Sequence, residues 1–152
     1  MKFKKINGTE VDLVEYTNSY LEENRDVEIA VGTDSQTEGK FTTFCTVVAF
    51  YHPGHGAHCI FRKWKTPRFK QYEMDRRLMK EVEASIDVAQ EIKNNCWDEP
   101  KYIDIDVSPL ESSRSNIIFQ AAVGYVVGMG YRCRFKTLGP LVTSFADWIV
   151  KS

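Results

Sequence analysis

The sequence has almost no net charge, no CxxC pair, no glycine-rich phosphate loop and no long apolar run, and each lack removes a class of function. Twenty basic residues face 21 acidic ones, for a net charge of -1 over 152 residues. Global electrostatics therefore neither require nor exclude a polyanionic partner, which must be met by a local basic patch. No apolar stretch approaches the roughly 20 residues of a membrane span. The opening MKFKKINGTEVD has no apolar run behind its lysines, so it is not read as a secretory signal. Cysteines stand at 45, 59, 96 and 133. That spacing suits buried thiols in a reducing cytoplasm better than a disulfide framework. Gly54-His-Gly56 lacks both the Lys-Ser/Thr and the following helix of a phosphate loop. There is no internal repeat and no low-complexity tract.

What is present is an ordinary apolar share, 43%, enough for one core. Residues 1–152 are read as a single domain, with 1–25 as an N-terminal helical extension. Asn7-Gly8 is a turn signal, Thr9 and Asp12 resemble a capping box, and Leu13, Tyr16, Tyr20 and Leu21 share a helical face. Three β segments follow: 28–34, then 41–51 after Gly39-Lys40, then about 57–64 after the His52-Pro-Gly-His-Gly turn. From Glu73 to about Asn95 the period is helical, with Leu78, Val82, Ile86, Ala89 and Ile92 as the stripe. A strand over 101–107, a helix capped by Ser112 or Ser113, a strand over 131–135 and a last helix over about 141–150 complete the order. Short turns make the first three strands an antiparallel meander, and the strand-helix-strand stretch demands a parallel crossover. The expected fold is α/β and ribonuclease H-like. Its five-stranded mixed sheet has three antiparallel strands then two parallel, in order 3-2-1-4-5, with helices on both faces.

Most acidic residues read as solvated surface, but Asp34, Asp106 and Asp147 do not. Asp34 ends Ile29-Ala-Val-Gly-Thr, Asp106 ends Tyr102-Ile-Asp-Ile, and Asp147 lies inside the apolar Ser144-Phe-Ala-Asp-Trp-Ile-Val. Carboxylates are seldom buried without a partner. Asp34 and Asp106 come from strands that are neighbours in this topology, at the strand ends where open α/β sheets place ligands. Converging carboxylates favour a hard divalent cation, Mg2+ or Mn2+. Taken singly, each acid is equally well a turn former or a local cap.

Val31-Gly-Thr-Asp-Ser-Gln36, Arg77-Leu78 with Glu81 and Ser85, Ile105-Asp106-Val107 followed by Ser115-Asn116, Gly124-Tyr-Val-Val-Gly-Met-Gly-Tyr131, Lys136 and Ala146-Asp147 carry a more specific likeness. Over residues 25–152 the chain resembles the YkuK-type family of ribonuclease H-like proteins. The resemblance implies an acidic site from the first strand, the long helix, the fourth strand and the final helix: Asp34, a helix glutamate, Asp106 and Asp147. Such acids hold two Mg2+ or Mn2+ ions roughly 4 Å apart for phosphodiester hydrolysis of RNA, DNA or a hybrid. Helix phase favours Glu81; Glu83 lies about 200° away around an ideal helix and is the second choice. Asp104 is set aside as peripheral. Where the family often has Lys-Pro, this chain has Lys136-Thr137.

Between residues 62 and 80 stand eight cations against Glu73 and Asp75, with Trp64, Phe69 and Tyr72 interleaved. Cations with aromatics suit phosphates and stacked bases. Arg68, Lys70, Arg76 and Arg77 are the expected nucleic-acid contacts, although a solvated connection explains such a run equally well. His52, His55 and His58 beside Cys59 lack paired zinc spacing and read as a hairpin loop. The rivals to a nuclease are a non-catalytic nucleic-acid or protein-binding module on the same fold, and a small-molecule phosphate hydrolase using the same acids.

Overall fold

The computed structural model describes residues 1–106, 113–135, 146 and 149, with the backbone alone at 113–116. Its strands are β1 (Lys2–Lys5), β2 (Glu10–Asp12), β3 (Glu28–Glu38), β4 (Phe41–His52), β5 (Gly56–Pro67), β6 (Tyr102–Ile105) and β7 (Arg132–Phe135). Its helices are α1 (Leu13–Glu23), α2 (Met74–Asn95) and α3 (Ser113–Gly128).

Seven strands form one sheet in the order β2-β1-β5-β4-β3-β6-β7. The inner order β5-β4-β3-β6-β7 is the expected 3-2-1-4-5, antiparallel through the meander and parallel from β3 to β7. The expected strand count of five is corrected to seven. The N-terminal stretch, read as helical, opens on the β1–β2 hairpin before α1 begins. Asn7 shapes that hairpin turn by accepting from the Thr9 amide at 3.0 Å. The helix cap is Asp12 alone, which accepts from the Glu15 amide at 3.2 Å; Thr9 takes no part in it.

The meander is tight because glycine stands where its turns need positive φ. Gly39 has φ 59° and Gly54 φ 79°, values most side chains resist. Alternation along the strands builds two cores. On one face Ile29, Val31, Val48, Phe50 and Ile60 pack under Leu13 and Leu21 of α1, Val82, Ile86 and Ile92 of α2, and Ala122 and Val126 of α3. On the other, Ala30, Cys45, Val47 and Ala49 pack with Ala146 and Ile149, which are helical. Of the expected α2 stripe, Val82, Ile86, Ala89 and Ile92 are buried. In α3, Ile117 is 71% exposed. All four thiols are free, with Cys45 buried. Among the described residues no helix is long and apolar enough to cross a membrane.

Candidate active site

β3 does not stop at Asp34 as its polar tail implies; it runs on to Glu38, paired with β4 throughout. The tail Thr33-Asp-Ser-Gln-Thr37 is strand because its hydroxyls find partners. Thr33 Oγ1 bonds Thr46 Oγ1 at 2.8 Å and Ser85 Oγ at 2.7 Å. Ser35 Oγ donates to Glu81 Oε1 at 2.6 Å, and Arg77 Nη1 donates to Thr37 Oγ1 at 3.0 Å. Two residues of strand advance about 6.7 Å and four of helix about 6 Å. Three rungs, Thr33–Ser85, Ser35–Glu81 and Thr37–Arg77, therefore lock α2 onto β3 in one rotational phase.

That phase turns Glu81 inward, 7% exposed, and leaves Glu83 exposed. Burial raises the Glu81 carboxyl well above its ordinary value of 4.5. The Ser35 hydrogen bond opposes the rise, Asp34 adds to it, Arg77 opposes it and Asp106 adds to it. Glu81 is thus within electrostatic reach of both aspartates. Asp34, 6% exposed, lies on the opposite face of β3 from Ser35. It stands across from Cys45, which stands across from Lys63. Burial pushes the Cys45 thiol up to about 12, with Lys63 lowering it and Asp34 raising it. Asp106 follows the last residue of β6 and is half-buried. Since Gly32 is paired in parallel with Asp104, Asp34 and Asp106 stand at one level, two residues beyond. Asp147 lies outside the described residues. Among the described residues, no three His, Cys, Asp or Glu side chains are grouped closely enough to hold a metal ion.

Asp104 is not peripheral to the fold. Its side chain is 0% exposed, and Arg134 holds it with two bonds of 2.7 Å and 3.0 Å. The Arg134 guanidinium lies 4.3 Å from the Tyr102 ring centroid. This buried pair fastens β7 to β6 on the face that carries Asp34.

The four expected nucleic-acid contacts divide. Arg68 and Arg76 line a cleft of about 360 Å3 with Phe69 and Lys80; Arg76 also pairs with Glu73 at 2.8 Å. Lys70 is exposed, over the Tyr72 ring. Arg77 is half-buried and donates to Thr37 Oγ1 as a rung of the hydroxyl ladder. Its spacing from Glu81 and Ser85, four residues each, carried that signal.

A chemical consequence concerns pH. Because its folded pKa lies above its unfolded value, native Glu81 keeps a proton that the unfolded chain releases. It therefore lowers stability as pH rises from 4.5 through the raised value. In chelator, Glu81→Gln keeps the acceptor for Ser35 without the charge. It should be more stable than wild type at pH 8 by about 1–3 kcal/mol, the range for relieving a poorly compensated buried polar group. The difference should vanish below pH 4, and urea melts across pH measure it; a pH-independent difference would contradict the buried acid.

A family model described as Ribonuclease H-like matches residues 11–151 of the chain. No curated protein matches it.

Proposed function

The chain belongs to the ribonuclease H-like family, and from that premise we propose that it is a metal-dependent nuclease hydrolysing phosphodiester bonds of RNA, DNA or a hybrid. The observation that carries the reading is that Asp34 and Asp106, from different strands, both act on the buried carboxyl of Glu81. Asp34, Glu81, Asp106 and Asp147 are the proposed catalytic acids and would hold Mg2+ or Mn2+. The donor atoms, all carboxylate oxygens, are of the type such an ion takes; the described acids are not grouped closely enough to hold one as they stand, and Asp147 lies outside the described residues. When held there, such an ion would supply the activation of a water and the neutralisation of the leaving oxygen. The chain's own residues set the geometry. Ser35 holds the Glu81 carboxyl by a hydrogen bond, Arg77 adds positive charge near it, and the β3–β6 register puts Asp34 and Asp106 at one level. Arg68, Arg76 and Lys70 meet phosphates of the nucleic-acid partner. The finer likeness to the YkuK-type family, and a place in the cytoplasm, belong to this same proposal.

A non-catalytic binding module on this fold is the second reading, favoured by one observation. Burial favours a neutral Glu81 carboxyl, a poor cation ligand, against the opposing hydrogen bond from Ser35. Labelled single-stranded, duplex and hybrid substrates incubated with Mn2+ decide between the two. The nuclease reading expects cleavage that Asp106→Asn abolishes while binding in chelator persists. Binding without cleavage of any substrate gives the module reading the lead.

A further inference from the structure

The N-terminal hairpin widens the sheet and then leaves it. β1 pairs with β5 only at Lys4↔Phe61 and Lys5↔Ile60, whereas β5 continues to Pro67. Where the two strands part lies a cleft of about 500 Å3. Lys2, Lys4, Arg62 and Lys63 line it, with Glu10 as the one acid among the lining residues. All four cations are exposed. At its inner wall the Arg62 guanidinium sits 5.4 Å from the Trp64 ring centroid. Trp64 in turn stacks on Phe44 at 5.4 Å and 11° between planes, and Phe44 is 1% exposed. Phe69 closes on Phe44 edge-on. The stack Phe44–Trp64–Arg62 is therefore anchored in the core at one end and presents a planar cation at the other.

We infer that this cleft binds a single-stranded polynucleotide. A guanidinium plane backed by an indole offers a stacking surface to an unpaired base, and a duplex exposes no such base face along its length. Lys2 and Lys4 meet the phosphates, while Lys63 donates to the Ile149 carbonyl at 3.2 Å. The cleft lies at the sheet edge two strands from β3: Lys63 is paired across from Cys45 and Cys45 from Asp34, two strand spacings or about 10 Å of backbone, while Arg62 and Trp64 lie on the opposite face, that of Thr46. The inference deepens the proposed function, on which it rests for its nucleic-acid class, by naming the strandedness of what that site receives.

The test is fluorescence anisotropy of labelled single-stranded RNA and DNA in EDTA, with competition by polyphosphate. Lys2→Gln/Lys4→Gln/Arg62→Gln should bind either oligonucleotide about tenfold more weakly, and its salt slope should fall by about 1.4, near 0.7 for each of the two lost lysine–phosphate contacts. Arg62→Lys, which keeps the charge and loses the plane, should weaken oligonucleotide binding and spare polyphosphate. All these positions are exposed, and melting curves confirm that the variants fold. Wild-type affinity and slope in the triple variant would overturn the inference, as would an Arg62→Lys protein indistinguishable from wild type on oligonucleotides. The two failures separate cleanly. Wild-type cleavage with an unaffected triple variant removes the cleft and keeps the nuclease. A weakened triple variant in a protein that cuts nothing removes the nuclease and keeps the cleft.

Discussion

Asp34→Asn is expected to lower Mn2+-supported cleavage by about 10²–10³-fold, the scale of losing one group that stabilises the transition state directly. The substitution is close to isosteric, and β3 is held by β4 on one side and β6 on the other, so the fold should survive. Asparagine keeps an oxygen at the same place and loses the charge that attracts a divalent cation. Two measurements together make the result specific. Single-turnover cleavage of a labelled substrate should fall, and the rise in melting temperature on adding Mn2+, a mass-action effect, should shrink with it. An unchanged Mn2+ shift would mean that the ion binds elsewhere. A lost shift with intact cleavage would remove Asp34 from the chemistry.

The largest stability effect is expected at Arg134. Arg134→Ala removes the guanidinium that holds the buried carboxylate of Asp104, and breaking one side of such a pair costs about 3–5 kcal/mol. For a domain of this size, at about 2–4 °C per kcal/mol, the melting temperature should drop by about 6–20 °C. The double change Asp104→Leu/Arg134→Met, which removes both charges and fills the site with apolar side chains, should recover most of the loss. Failure of the double variant to recover would mean that Arg134 acts through its stacking on Tyr102 and Tyr51 rather than through the charge.

The central strand order is legible in the sequence because β3 and β4 carry apolar, β-branched runs buried on both faces and the turns carry glycine at the positions that need it. The β1–β2 hairpin is not. Lys2-Phe-Lys-Lys5 and Glu10-Val-Asp12 each offer one apolar residue, too little for a period to show. The strand end at Asp34 is misplaced for a different reason. Ser35, Gln36 and Thr37 read as turn chemistry until a helix supplies partners for hydroxyls, a tertiary effect no local propensity contains. The inward phase of Glu81 follows from its apolar neighbours. Arg77 shares that phase, and the charge run around it masks this. The Asp104–Arg134 pair joins residues 30 positions apart and has no local signature.

The unequal sheet also has an order of assembly. β3, β4 and β5 are joined by turns of a few residues and pair over their whole lengths, so their contacts close short loops. β6 and β7 join in parallel only after chain segments carrying the whole of α2 or α3 have been brought across, and each pairs over three or four residues. Loop-closure entropy then makes the meander with α2 the folding nucleus and leaves the parallel half for the downhill side of the barrier. Losses at Arg134 should accordingly appear as faster unfolding at nearly unchanged folding rate, whereas losses at Val48 or Phe50 should slow folding itself.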